Sequence, residues 1–156
     1  MNIQAVEFIQ AMLAPGLMIS ACGLLLLGMN NKYSIVVARI RILDDEIRKY
    51  KKNLPEAQLS ALEKFRMENI SLQVGKLYIR IRIIRNAVIF YSLAVAFFIL
   101  SSLLIGYRLI TETESLSLVL FFFLTGMLSV FVGVLYAVLE MIKAYQIVGI
   151  EVKSMK

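Results

Sequence analysis

In 156 residues the chain carries 17 Lys and Arg against 11 Asp and Glu, no His, one Cys, and 60% hydrophobic residues. That apolar share lies well above the roughly 45–50% of a soluble domain, and the mean hydropathy of +0.78 points the same way. A single cysteine excludes an intramolecular disulfide, and the lack of histidine removes the commonest general base and metal ligand.

Three uncharged runs account for the excess: 24 residues at 8–31, 22 at 86–107 and 25 at 115–139. A hydrocarbon core of about 30 Å is crossed by about 20 apolar residues of helix, each rising about 1.5 Å. Each run is long enough, and isolated strands are excluded because lipid would leave their N–H and C=O groups unpaired. The expected fold class is an all-α integral membrane protein. Three transmembrane helices are expected, with a long cytoplasmic helical hairpin between the first and second.

The first segment, 1–31, contains "ISACG" at 19–23, which looks like a lipoprotein cleavage box. A signal peptide places its positive charges before the apolar core and a polar sequence after the cut. Here no Lys or Arg precedes Lys32, and Cys22 is followed by Gly23, Leu24, Leu25, Leu26 and Leu27. Cleavage would divide the run into halves too short to span. A permanent helix is therefore expected, with Cys22 as a small buried side chain. Pro15 is expected to kink or start that helix, making 2–14 a short helix on the outer surface. Gly16, Ser20, Gly23 and Asn30 form a stripe along it.

The next segment, 32–85, holds 13 basic residues against six acids. Apolar or aromatic residues at Val36, Ile40, Leu43, Ile47, Tyr50 and Leu54 follow a 4, 3, 4, 3, 4 spacing, and so do Ile70, Val74, Leu77, Ile81, Ile84 and Val88. That is the rhythm of a coiled-coil seam. Pro55 favours a turn between the two arms. "ARIRIL" and "YIRIRIIR" alternate like strands, but between helical periods they read as helix. Antiparallel pairing within the chain and parallel pairing between chains would both use the seam. Lys32, Arg39, Arg41, Arg80, Arg82 and Arg85 are candidates for the membrane surface, where anionic headgroups favour each cation by about 1 kcal/mol. The plainer reading makes them topology anchors.

Residues 86–142 supply the second and third spans, joined by a short outer turn at 108–114. On the third, Gly126, Ser129, Gly133 and Ala137 share a face that continues to Glu140, with Thr125 beside it. Small residues allow close helix contact in lipid, so packing is the default for both stripes. A polar permeation path would use the same residues. Glu140 adjoins an otherwise uncharged span, where a carboxylate is costly unless hydrated or paired. It reads either as part of an ion path or as a surface partner of Lys143.

The bias of Lys and Arg toward cytoplasmic segments places 32–85 inside, the N-terminus and the 108–114 turn outside, and the 143–156 tail inside. The net +6 is then mostly topology, and no nucleic-acid partner is expected. Asp44, Asp45 and Glu46 stand on an exposed helix with no catalytic partner motif, and no Gly-rich phosphate loop occurs. An enzyme is not expected, nor a cofactor or a metal site.

At "APGLMISACGLLLLGMNNKYSIVVARIRILDDE" the chain resembles a family of small bacterial inner-membrane proteins of unknown function, over nearly its whole length. That resemblance implies no activity. In topology alone it is similar to TolQ/ExbB/MotA-type proton-channel subunits, which implies a pentamer around a stator-type partner. Their extended motif is absent, and only Thr125 and Glu140 loosely match their polar membrane residues.

Two functions follow as expectations. One is a homo-oligomeric ion channel or channel-like subunit with a pore on the ring axis. The other is a non-conducting scaffold or regulatory subunit. Three spans are few for a self-contained transporter, which favours a ring, most plausibly of five. Partners are then further copies of the chain, membrane lipids including anionic ones, and a membrane protein of unknown identity. A pore lined by the first helix would favour anions through Lys32, Arg39 and Arg41. One lined by the third would favour cations through Glu140, and the position of Glu140 nearer the membrane tips the expectation toward cations.

Overall fold

The computed structural model describes the backbone of residues 3–53, 61–111 and 116–154, and within them the side chains of 9–49, 64–108 and 116–145. All of it is helix: α1 (Ile3–Asn53), α2 (Ala61–Thr111) and α3 (Leu116–Ser154). Each is long and apolar enough to cross a membrane. "ARIRIL" and "YIRIRIIR" lie within α1 and α2. The expected turn around Pro55 and residues 112–114 of the outer turn lie outside the described residues, while α2 itself continues to Thr111.

One expectation is corrected. Pro15 lies inside α1, which runs on from Ile3, so 3–14 is not a separate helix. Proline removes one N–H donor, and helices at membrane depth tolerate that loss where neighbouring groups re-satisfy the freed carbonyl. Pro15 is also buried.

Ile40, Ala87, Ala94, Ser101 and Ser129 apart, the buried positions among the described residues repeat every seventh residue. On α1 they are Pro15, Cys22, Met29, Val36 and Leu43; on α2, Ile70, Leu77, Ile84, Tyr91 and Phe98. On α3 they are Val119, Gly126, Gly133 and Glu140. A seven-residue period keeps one stripe of a slightly underwound helix facing its neighbours. Outside the stripe stand exposed large side chains, among them Leu17, Leu24, Leu27, Leu103, Phe121 and Phe131. Soluble proteins rarely expose apolar surface on that scale.

Two compact units divide the chain, one of residues 1–30 and 86–137, the other of 31–85 and 138–156. In the first, Cys22, Ala94 and Phe98 form a core against which Met18, Ile19, Val95, Phe123 and Val130 pack. α2 and α3 run antiparallel there. Ser101 Oγ donates to the Val119 carbonyl at 3.3 Å, and Ser129 Oγ to the Phe90 carbonyl at 2.8 Å. Phe98 meets Phe123, and Phe90 stacks on Tyr136, each pair with ring centroids 5.6 Å apart. Two glycines make this approach possible. A Cβ on Gly126 would lie 2.9 Å from Phe98 Cε1, and one on Gly133 would lie 2.7 Å from Tyr91 Cε1.

In the second unit part of the expected seam is buried, namely Val36, Ile40 and Leu43 of α1 and Ile70, Leu77 and Ile84 of α2, while Ile47, Val74 and Ile81 are half-buried and Tyr50 and Leu54 lie outside the described side chains. The arms are antiparallel within one chain. Arg66 Nη2 donates to Glu46 Oε1 at 2.8 Å on their exposed side, which contributes little to stability.

Candidate functional site

The most distinctive chemistry lies in the second unit, where one residue from each helix meets. Glu140 of α3 is 1% exposed and accepts from both other helices. Arg80 Nη2 of α2 donates to its Oε1 at 2.6 Å, and Lys32 Nζ of α1 donates to its Oε2 at 2.9 Å. A carboxylate so deeply buried is tolerable only when paired and hydrogen-bonded. Here both oxygens are engaged, by charge-assisted bonds of the short kind. The two cations differ: Arg80 is 19% exposed, whereas Lys32 is 39% exposed and partly hydrated.

A cleft of about 560 Å³ opens beside the cluster. Lys32, Arg39, Arg80 and Glu140 form its polar part, and Ile35, Val36, Leu77, Met141, Ala144 and Tyr145 the rest. Arg80 Nε is buried without a hydrogen-bond partner among the described residues. Chemically the cluster is a latch with surplus positive charge. A carboxylate whose two oxygens are both held by cations is poorly placed to act as a base.

The sequence-predicted residues separate into groups. Gly126, Ser129 and Gly133 are buried against α2 of the same chain, the packing alternative for that stripe. Thr125 Oγ1 donates to the Phe121 carbonyl at 2.7 Å within α3. On α1, Gly16, Ser20, Gly23 and Asn30 are exposed, and nothing lies within 4 Å of a Cβ placed on Gly16 or Gly23. Ser20 Oγ donates back to the Gly16 carbonyl at 3.2 Å. Of the six basic candidates, Lys32 and Arg80 join Glu140, Arg39 lines the cleft, and Arg41, Arg82 and Arg85 are exposed outside it.

Glu140 is thus bonded across helices rather than being an exposed partner of Lys143. The signal available in the sequence was depth. Lys32 is the first charge after the 8–31 run and Glu140 the first after 115–139, so opposite charges end two spans on one side. Arg80 carried no such mark.

Three long apolar helices with an internal ion cluster define a class, the multi-pass helical membrane proteins. Within it the chain belongs to the DUF2721 family of proteins of unknown function, whose sequence model covers residues 12–150. No curated protein and no solved structure matches it.

Proposed function

We propose that the chain is a subunit of a homo-oligomeric, channel-like assembly of the bacterial inner membrane, with α1 turned toward neighbouring copies and the ring axis. The observation that carries this reading is the contrast between the two small-residue stripes. That of α3 is filled by Tyr91, Phe98 and the Phe90 carbonyl of its own chain, whereas that of α1 is open. A groove of about 350 Å³ runs over Gly16 between Met12, Leu13, Leu17 and Ser20. Small residues leave such grooves where another helix is to approach closely. The span order shared with TolQ/ExbB/MotA-type subunits supports a ring of about five.

In this reading 32–85 is a cytoplasmic helical hairpin, the 143–156 tail is also inside and the N-terminus outside, supported by the 13 basic residues of the hairpin. Cysteines introduced at Gln58 and Ser154 in a Cys22→Ser background should stay unlabelled by an impermeant thiol reagent on intact cells. Strong labelling at either position reverses the orientation.

A path along α1 passes Gly16, Ser20, Gly23 and Asn30 and reaches Lys32, Arg39 and Arg41. Because Glu140 is offset by two cations, it contributes no net negative field, and the preference proposed is for anions. Purified protein in liposomes should pass chloride, and Ser20→Leu should reduce that flux several-fold while Thr125→Val does not.

The second reading, a non-conducting scaffold or regulatory subunit, is favoured by the hydroxyl of Ser20, which is turned onto its own helix rather than outward. It stands if planar bilayers show no conductance above empty controls over varied voltage, pH, calcium and tension. A stable monomer in lipid nanodiscs would remove the first reading and leave a regulatory subunit of a larger complex.

A further inference from the structure

We propose that the outer face of α2 between Phe65 and Arg82 docks an acidic amphipathic helix of another protein. The proposal is independent of whether the assembly conducts. Phe65, Leu72 and Ile79 recur every seventh residue on that face and are 65%, 60% and 54% exposed. The chain's own seam uses the opposite side of the helix, through Ile70, Leu77 and Ile84.

Lipid does not cover this row. α2 is one helix from Ala61 to Thr111, and its uncharged run starts at 86. At about 1.5 Å per residue, Ile79, Leu72 and Phe65 lie about 10, 20 and 30 Å before that run. The headgroup layer adds only about 5–7 Å to each side of the hydrocarbon. A row of large apolar side chains that far into water marks a contact surface. Gly75 stands on the same face between Leu72 and Ile79, and nothing lies within 4 Å of a Cβ placed on it. Glycine weakens a helix, and no crowding within the chain calls for one here. Against a second helix it leaves a notch that receives an apolar side chain.

Charge chooses the occupant. Between 64 and 82, Arg66 and Arg80 are already held by Glu46 and Glu140. The other charges are Lys64, Lys76 and Arg82 against Glu68, all exposed and without a hydrogen bond or ion pair among the described residues. The α1 arm does not redress the balance, since its exposed Asp44 and Asp45 are outnumbered by Arg41, Arg48 and Lys49. A second copy would bring residues 32–85, with 13 bases against six acids, to a face already positive. A nucleic acid would match the charge and leave the apolar row uncovered. A helix with apolar residues at the same seven-residue spacing and Asp or Glu beside them answers both demands. About 18 residues of it match the face in length.

The test places the photocrosslinking residue p-benzoylphenylalanine at Leu72 of the full-length protein in its native cells. The expected adduct is a second protein whose crosslinked peptide, sequenced by mass spectrometry, is acidic with apolar residues every third or fourth position. A synthetic peptide of that sequence should bind the purified full-length protein in neutral detergent. Leu72→Ser should weaken that binding about tenfold, as the loss of one buried leucine does. Lys76→Gln combined with Arg82→Gln should weaken it several-fold at low salt and little at high salt. Ile42→Ser, which removes an exposed apolar side chain from α1, should leave it unchanged. All four positions are exposed, so every variant should keep the parent's unfolding midpoint. Adducts to a second copy, to lipid or to nucleic acid overturn the proposal, and so does the absence of any adduct. A neutral or basic peptide overturns it as well, as does an equal loss in Leu72→Ser and Ile42→Ser.

Discussion

Glu140→Gln is expected to cost the fold about 3 kcal/mol, a large part of the roughly 5–15 kcal/mol that a domain has in total. The substitution keeps the side chain's shape and removes its charge. Arg80 is 19% exposed and would be left as a buried cation with an amide oxygen in place of a carboxylate. The penalty arises from that stranded charge more than from the lost bonds. Lys32→Gln should cost less than about 1 kcal/mol, because a side chain 39% exposed already keeps part of its hydration. The double variant Arg80→Met with Glu140→Leu should recover most of the loss, since replacing both members of a buried pair by apolar groups is often neutral. Unfolding in mixed micelles at two salt concentrations measures all three. The Glu140→Gln deficit should persist at high salt, whereas the contribution of the exposed Arg66–Glu46 pair should fade. A Glu140→Gln loss no larger than that of Lys32→Gln would contradict the latch.

How much of this was legible beforehand depended on which quantity the residues encode. The inner face of the two arms was readable in part from the 4, 3 spacing of apolar residues: Val36, Ile40, Leu43, Ile70, Leu77 and Ile84 of that series are buried, whereas Ile47, Val74 and Ile81 are half-buried. Within the spans that spacing is lost, since lipid-facing and helix-facing residues are both apolar. Only size remained as a signal, and it marked two stripes without saying which would meet the chain's own helices. That choice is made by the antiparallel register of α2 and α3, which sets Phe98 opposite Gly126 and Tyr91 opposite Gly133. Register comes from the fit of particular side chains, and hydropathy does not carry it. Pro15 misled for a related reason: its local preference to break a helix was outweighed by the apolar context on both sides. The depth of Lys32 and Glu140 could be read from the ends of the runs. Which way each faces around its helix could not, so the partnership with Arg80 emerged only in three dimensions.

The second large effect is expected at Gly133, and it separates packing within a chain from packing between chains. A Cβ there would come within 2.7 Å of Tyr91 Cε1 and 2.8 Å of Cδ1. Tyr91 is 1% exposed, so its ring has little free space to move into. Gly133→Ala should therefore cost about 1–3 kcal/mol through overpacking, although alanine is the better helix former by about 1 kcal/mol. Gly133→Leu should cost more and prise α3 from α2, because close backbone approach and dispersion are what hold helices together in lipid. Gly16 is the control. Nothing lies within 4 Å of its Cβ position, so Gly16→Leu should leave the chain's own unfolding unchanged. If neighbouring copies close on α1, Gly16→Leu should instead shift native mass spectra toward smaller assemblies. Gly133→Leu should lower the unfolding midpoint of each chain whatever its assembly state. A Gly133→Leu chain as stable as the parent would refute the contact with Tyr91. Unchanged assembly in Gly16→Leu would locate the subunit interface away from the groove over Gly16.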